Sequence, residues 1–143
     1  MVQIRKCTSA DFQQVATLLV QLWPKKGQNL GKLRGVYDRA MVSTAQRYVC
    51  AVDNGEIVGF LSLSFRNSLW QEALLANIDE LVVAERRRGE GIGSALLGHA
   101  EELARKTGAT RLELDSAFHR TEAHAFYEKH GFEKRALLFS LEL

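Results

Sequence analysis

The most chemically informative part of the sequence is a short run that mixes arginines with glycines. It consists of Arg-Arg-Arg-Gly-Glu-Gly-Ile-Gly-Ser over residues 86–94 and lies between a predicted strand and a predicted helix. Three glycines allow a tight turn and let a ligand approach the backbone. Amide groups at a helix start bind anions, and arginine side chains add forked donors for phosphate oxygens. The run therefore predicts a cradle for a pyrophosphate group.

Other interpretations of this run stay open at this point. The simplest is a solvated basic loop in front of a helix that begins with glycines. A P-loop requires a lysine after the last glycine, but Gly93 is followed by Ser94. A dinucleotide-binding fingerprint requires a third glycine at Ser94 and a strand directly before Gly89, from which residues 84–88 separate it. Glu113 does lie where the ribose-binding acid of that fingerprint is expected.

Two segments of the chain resemble motifs of the GNAT superfamily of N-acetyltransferases. Residues 88–93 resemble the acetyl-CoA loop of that family, Arg/Gln-x-x-Gly-x-Gly/Ala, and residues 78–83 resemble the strand before it. Residues 123–132, Ala-His-Ala-Phe-Tyr-Glu-Lys-His-Gly-Phe, are similar to its A-x-x-F-Y-x-x-x-G-F segment. The order of elements also matches. The resemblance implies one α+β domain over residues 1–143, with a mixed six- to seven-stranded sheet flanked by about four helices.

The resemblance also implies roles for individual residues. Acetyl-CoA would be the co-substrate, and Tyr127 would protonate the departing CoA thiolate. The backbone of Leu81 and Val83 would pair with the pantetheine arm, and the amide near Val82 would polarise the thioester carbonyl. The loop residues that would hold the pyrophosphate are Arg88, Gly89, Glu90, Gly91, Ile92, Gly93 and Ser94. No metal is implied.

Two adjacent carboxylates, Asp79 and Glu80, stand on the strand before the loop. An alkyl ammonium has a pKa of about 10.4, so transfer to an amine requires a group that removes its proton. Neighbouring side chains on a strand point to opposite faces unless the strand bulges. Several family members carry a glutamate base where this chain has Asn77, whose amide cannot take a proton.

The Asp79-Glu80 pair resembles the acidic pair of polyamine and glucosamine-phosphate acetyltransferases. We therefore expect Asp79 to act as the base, directly or through a water, with Glu80 as the second candidate. The alternative is that the two carboxylates only attract or orient a cationic acceptor.

The acceptor side carries weaker signals. Three aromatic residues lie in segments that line the acceptor site in relatives: Trp23, Tyr37 and Trp70. Trp70 belongs to a loop predicted over residues 66–73. Arg120 stands where many relatives have an asparagine against the pantetheine arm, and its role stays open. His119 and His124 are expected to be structural or solvated rather than catalytic.

Turn and periodicity signals predict the elements that would position these residues. Thr8 and Asp11 form a capping-box pattern at the start of the first helix. The Asn-Gly pair at residues 54–55 predicts a tight hairpin turn. One or two strands are predicted over residues 132–143. The predicted order is β-α-α-β-β-β-α-β-α-β(β).

Composition limits the class of protein. The 143 residues suit one domain, and the net charge of +2 is too even for a nucleic-acid coat or a membrane-surface binder. No stretch approaches the roughly 20 apolar residues of a membrane span, and the N-terminus lacks a signal-peptide core. The cytosol is therefore the expected location. Cys7 and Cys50 form neither a disulfide framework nor a zinc motif and are expected to be small buried residues.

Together with the resemblance, these features predict an acetyl-CoA-dependent N-acetyltransferase that acts by direct transfer in a ternary complex. The expected acceptor is a primary amine of a small cationic molecule, aminoglycoside- or polyamine-like. The alternatives are a protein lysine or N-terminal acetyltransferase and a non-catalytic acyl-CoA-binding module. Nucleic-acid binding through Arg86 to Arg88 has thin support. Acceptor choice would come from the first two helices and the Trp70 loop, or from a neighbouring subunit of a homodimer.

Overall fold

Five strands and four helices make up the protein in the computed structural model, which describes residues 1–143. The elements are β1 (Gln3–Lys6), α1 (Phe12–Leu22), α2 (Leu30–Val42), β2 (Gln46–Asp53), β3 (Glu56–Ser68), β4 (Ala73–Val83), α3 (Ile92–Thr107), β5 (Ala109–Leu114) and α4 (Thr121–Lys129). The strands form one sheet in the order β1-β2-β3-β4-β5, and the pairs from β1 to β4 are antiparallel. The chain divides into two compact units, Met1–Glu113 and Leu114–Leu143.

The number of strands is the main departure from the sequence prediction. The α+β class and the four helices are confirmed, but the sheet has five strands rather than six or seven. The strands predicted over residues 132–143 are wrong, since that segment has no regular secondary structure and its side chains are mostly exposed. Alternating apolar residues such as Phe139, Leu141 and Leu143 carry a strand pattern, but a strand exists only where a neighbour completes its hydrogen bonds.

A helix that crosses a bilayer must be long and apolar. None of the four helices meets that requirement.

The loop around Trp70 is shorter than predicted. β3 continues to Ser68 and pairs there with Ala73 of β4, so the connection comprises only residues 69–72. The prediction placed its start at residue 66 because Arg66 and Asn67 are polar. Both residues pair with β4 in the strand ladder, but their side chains are exposed to solvent.

The predicted turn signals at the start of the chain and in the first hairpin are confirmed. Thr8 N donates to Asp11 Oδ2 at 2.7 Å, and the two carboxylate oxygens of Asp11 accept from Arg5 at 2.7 and 3.0 Å. This bidentate pair ties the start of α1 to β1 and lowers the pKa of Asp11 to about 2. In the hairpin turn, Asn54 and Gly55 adopt φ values of +49° and +76°.

A row of aromatic rings packs α1 and α2 onto one face of the sheet. Phe12 of α1 contacts Tyr37 of α2 at 5.4 Å between ring centroids, and Tyr37 contacts Tyr48 of β2 at the same distance. Tyr48 in turn contacts Phe60 of β3 at 5.3 Å. The first and third pairs are edge-on and the second is tilted, and aromatic pairs of this kind add to the stabilisation from apolar burial. The row therefore fixes both helices against the strands that carry the site.

Helix α3 covers the opposite face, and a glycine on β3 permits its close approach. A Cβ atom at Gly59 would lie 2.9 Å from Leu96 Cδ1 and 3.2 Å from Ile92 Cγ2. Leu96 and Ile92 are buried on the inner side of α3. The close contact between α3 and the sheet therefore requires a residue without a side chain at position 59.

We predict that Gly59→Ala lowers the free energy of unfolding by about 1–3 kcal/mol, because the added methyl group overpacks the contact between α3 and the sheet. Gly98→Ala is the matched control, since Gly98 lies within α3 and a Cβ added there would meet no atom within 4 Å. There the same change should raise stability by about 0.5–1 kcal/mol through helix propensity. Urea denaturation measures both; equal stabilities for the two variants would contradict the packing argument.

Candidate functional site

The glycine-rich loop connects β4 to α3 and has the backbone conformation that its glycines predict. Gly89 and Gly91 adopt φ values of +82° and +85°, a region that strongly favours glycine. The first internal hydrogen bond of α3 runs from Ala95 N to Gly91 O at 3.0 Å. The amides of Ile92 and Gly93 therefore precede the helical ladder, at the positive end of the helix dipole. This arrangement suits a bound anion.

Two of the loop arginines are engaged by carboxylates. Arg86 forms an ion pair with Glu56 of the first hairpin. Arg87 reaches Asp53 of the same hairpin and Glu90 of the loop, each at 3.0 Å, and the Arg87 guanidinium lowers the pKa of Asp53. These side chains fix the loop to the β2–β3 hairpin, a role that was not predicted from the sequence.

Strand β4 contains a bulge at the acidic pair. Ser62 of β3 pairs with Glu80, but the next residue of β3, Leu63, pairs with Ile78. Asp79 is therefore an extra residue on β4. The bulge breaks the alternation of a regular strand. Asn77 and Glu80 pair with Ser64 and Ser62, which lie two residues apart on β3, so both side chains lie on the same face of the sheet.

Both carboxylates of the pair are hydrogen-bonded on this side. Asp79 Oδ1 accepts from Ser64 Oγ at 3.1 Å and from Asn77 Nδ2 at 2.8 Å. Glu80 Oε1 accepts from Ser62 Oγ at 2.5 Å, and the amide of Glu80 donates to the same hydroxyl oxygen at 2.9 Å. Asn77 thus acts as a hydrogen-bond donor to Asp79.

A cavity of about 180 Å³ lies between this face of the sheet and helices α1 and α2. Glu80 supplies its one carboxylate, and the remaining wall is largely apolar and aromatic. The lining residues are Phe12, Val15, Ala16, Leu19, Trp23, Leu33, Val36, Tyr37, Tyr48, Phe60 and Glu80. An apolar wall with a single charged group is typical of a site that orients a small ligand by one polar end.

The structure brings together only part of the residues predicted for the acceptor side. Trp23, Tyr37 and Glu80 line the cavity, whereas Asp79 lies beside it at the bulge. Trp70 lines neither this cavity nor its neighbour. It lies in the β3–β4 turn, 74% exposed, with Arg111 5.9 Å from its ring centroid.

Tyr48 lines the cavity, a position that was not predicted from the sequence, and the charges of both carboxylates affect its pKa. Burial raises its pKa, and the negative charges of Glu80 and Asp79 raise it further, to about 12. Burial likewise raises the pKa of Tyr37, whose hydroxyl donates to Thr8 O at 2.7 Å. The cavity wall therefore carries neutral phenols beside negative charge at neutral pH.

The residues predicted to contact the pantetheine arm lie on β4 directly after the bulge. Leu81, Val82 and Val83 pair with Leu61, Phe60 and Gly59 of β3. Arg88 Nε donates to Val83 O at 3.2 Å. The strand therefore runs from the two carboxylates straight into the glycine-rich loop.

The second unit contains the tyrosine that was predicted as an acid. Tyr127 lies on α4 with its ring against Phe126 and Phe132, at 5.4 and 5.8 Å between centroids. Burial raises its pKa, against a smaller lowering by the positive charge of Arg120. The hydroxyl is thus held in its protonated form. Arg120 precedes α4 and its carbonyl accepts from His124 N at 3.1 Å.

The histidines near Tyr127 have structural contacts. His124 Nε2 lies 2.9 Å from Ala117 O, and His130 Nδ1 lies 2.9 Å from Phe126 O. These contacts support the interpretation of His124 as structural, and His119 is exposed.

One group of residues has the spacing of metal ligands. The ligand atoms of Cys7, Asp11 and Cys50 lie within 4.8 Å of one another, and all three residues are buried. Both oxygens of Asp11, however, already accept hydrogen bonds from Arg5, and one accepts from Thr8 as well. The carboxylate is committed to the β1–α1 connection, and the two cysteines are free thiols.

The serines that hold the carboxylates were also not predicted from the sequence. Ser62 and Ser64 alternate with leucines on β3, and Ser62 is completely buried. A buried hydroxyl in an otherwise apolar strand requires a hydrogen-bond partner. The Leu-Ser-Leu-Ser sequence of residues 61–64 could therefore have indicated that these serines bond to polar groups on a neighbouring strand.

Comparisons with known proteins show which family the sequence resembles and which fold it shares. Residues 12–132 match the acetyltransferase (GNAT) family. The chain is 33% identical over 141 residues to an aminoalkylphosphonate N-acetyltransferase of Salmonella typhimurium, covering 99% of this chain and 91% of the relative.

Solved structures show the same fold. The crystal structure of a transcriptional regulator from Bacillus halodurans C-125 superposes over the full length of both chains with a TM-score of 0.94 and 26% identity. An aminoglycoside N-acetyltransferase in complex with CoA superposes with a TM-score of 0.89 over 99% of this chain and 95% of that one. At 17% identity, the latter likeness concerns the fold alone.

Proposed function

This chain belongs to the acetyltransferase (GNAT) family and is an N-acetyltransferase, and we propose that it transfers an acetyl group directly from acetyl-CoA to a primary amine of a small molecule bound beside Glu80. The observation that carries the proposal is the bulge in β4. It sets Glu80 in the wall of an apolar cavity, with Asp79 beside that cavity, on the strand that leads into the glycine-rich loop.

Acetyl-CoA is the acetyl donor of acetyltransferases with this fold. The residues present fit its charged part, because the amides of Ile92 and Gly93 precede the hydrogen-bonded ladder of α3, and helix N-termini bind anions. We assign the pyrophosphate to residues 88–94 and the pantetheine arm to the backbone of Leu81 and Val83. The amide of Val82 would donate to the thioester carbonyl oxygen as negative charge develops there.

Glu80 is the favoured proton acceptor in this site. The sequence alone favoured Asp79, but Glu80 lines the cavity, whereas Asp79 is held at the bulge by Ser64 and Asn77. Glu80 would take one proton from the ammonium, and the neutral amine would then attack the thioester carbon. Asp79 would add negative charge that attracts the ammonium.

The leaving group also requires a proton. As the C–N bond forms and the C–S bond breaks, the CoA thiolate departs, and Tyr127 would donate its hydroxyl proton to the sulfur. The nitrogen of the new amide would lose its second proton to solvent, and the Tyr127 phenolate would regain a proton from solvent. A pKa raised by burial keeps that proton in place until it is needed.

We predict that Glu80→Gln lowers kcat by about 10²–10⁴-fold and abolishes the acidic limb of the pH–rate profile, because an amide cannot accept the proton. Asp79→Asn should reduce kcat less and leave the limb in place. Ser62→Ala should move the limb to higher pH, since the carboxylate loses its hydroxyl donor. Thiol release across pH 5–10 measures all three. Wild-type kcat and profile in Glu80→Gln would exclude it as the base.

We predict that Gly91→Ala raises the KM for acetyl-CoA roughly tenfold, because an alanine resists the φ of +85° that shapes the loop. Gly108→Ala is the matched control, since Gly108 adopts φ +93° at the other end of α3. Both changes should lower stability by about 1–2 kcal/mol. Only the first should affect acetyl-CoA, and equal KM values for the two variants would remove the loop from the cofactor site.

We predict that Tyr127→Phe lowers kcat by about 10–100-fold while the KM for acetyl-CoA and the melting temperature change little, because only the proton donor is lost. Steady-state kinetics and a thermal melt measure these quantities. A kcat within twofold of wild type would return Tyr127 to a packing role on α4.

Two other functions remain as outcomes of the same assays. Acetylation of peptide lysines or N-termini in preference to small amines would make the chain a protein acetyltransferase. Binding of acetyl-CoA without thiol release in the presence of any amine would indicate a binding module.

A further inference from the structure

A second cavity adjoins the one beside Glu80 and has the opposite charge. It has a volume of about 220 Å³ and is lined by Leu19, Trp23, Lys26, Gly27, Gln28, Asn29, Lys32, Leu33 and Val36. Four of these residues, Leu19, Trp23, Leu33 and Val36, also line the first cavity. No carboxylate lines the second cavity. The two spaces therefore share an apolar wall, with Glu80 on one side and two lysines on the other.

The loop that carries Lys26 is fixed by hydrogen bonds. Lys26 N donates to Trp23 O at 3.2 Å, and its Nζ lies 5.8 Å from the centroid of the Trp23 ring. Gln28 Nε2 donates to Ala16 O at 2.8 Å, which anchors the loop to α1. These bonds fix the backbone from which the exposed Lys26 side chain extends beside the shared wall.

Lys32 lies in the first turn of α2, where Asn29 Oδ1 accepts from its amide at 3.0 Å. A positive charge in the first turn of a helix is unfavourable, because it faces the positive end of the helix dipole. Neither Lys32 nor Lys26 forms an ion pair with a carboxylate of the chain. Helix stability therefore does not account for a lysine at this position, and the two exposed ammonium groups are not neutralised by a carboxylate of the chain.

We propose that the acceptor is an amine whose other end is a tetrahedral oxyanion, of the aminoalkylphosphonate or aminoalkyl phosphate class. This inference rests on the proposed function. Lys26 and Lys32 bind the oxyanion, the alkyl spacer lies on the apolar wall they share with Glu80, and the ammonium faces Glu80. A polycation would place positive charge against the two lysines, and a sugar would lose hydrogen bonds along the apolar wall.

The relative in Salmonella typhimurium acts, by its name, on aminoalkylphosphonates. This agrees with the class inferred from the two charged ends. In this chain, Lys26 and Lys32 are the residues that would select the phosphonate or phosphate group of the acceptor.

The test compares three amines that differ at the end remote from the amine: 2-aminoethylphosphonate, ethanolamine and spermidine. We expect the wild-type protein to prefer 2-aminoethylphosphonate in kcat/KM. Lys26→Ala and Lys32→Ala should each raise its KM roughly tenfold, with kcat for ethanolamine and the KM for acetyl-CoA unchanged. Lys25→Ala is the matched control, because Lys25 lines neither cavity.

The possible failures are distinguishable. A preference for spermidine or ethanolamine, or lysine variants without effect on 2-aminoethylphosphonate, would overturn the inference and leave the proposed function standing. No thiol release with any amine would contradict the proposed function. In that case calorimetric titration of 2-aminoethylphosphonate still tests the site, since binding that is lost in the double lysine variant supports it and absence of binding to the wild type overturns it.

Discussion

The candidate site depends on one extra residue in β4. Asp79 has no partner of its own across the ladder between β3 and β4, and the arrangement of the two carboxylates against the serines of β3 follows from that irregularity. A regular strand would send the side chains of Asp79 and Glu80 to opposite faces of the sheet. With the bulge, two serines of β3 supply hydroxyl donors for the two carboxylates. The register between β3 and β4 therefore determines where the two carboxylates of the candidate site lie.

The rest of the first unit keeps that register in place. The aromatic row from Phe12 to Phe60 covers one face, and α3 covers the other at the distance that Gly59 permits. A sheet with both faces packed cannot slip by one residue without exposing its core, so the bulge cannot move along β4. Packing far from the carboxylates thus decides where they point.

The sequence predicted most of the fold because its signals are local. The Asn54-Gly55 turn, the capping pattern of Thr8 and Asp11 and the glycine-rich helix start each involve neighbouring residues with a defined backbone conformation. The bulge involves the register between two strands and leaves no mark in the residues of β4 alone. For the same reason the strands predicted after residue 131 were wrong, since alternation shows which residues suit a strand but not whether a partner strand is available. The second cavity was likewise not predicted, because the wall that it shares with the first cavity forms only when α1 and α2 pack together.

Two ion pairs that differ in solvent exposure attach the glycine-rich loop to the β2–β3 hairpin. The Arg86–Glu56 pair is more than half exposed, whereas Arg87 and Asp53 are each less than one-fifth exposed. Mobile counterions screen exposed pairs far more than sheltered ones. In dilute buffer both pairs hold the loop, but at the ionic strength of a cell the Arg87 contact carries most of this task. Ionic strength therefore weakens the two attachments unequally, whatever ligand the loop receives.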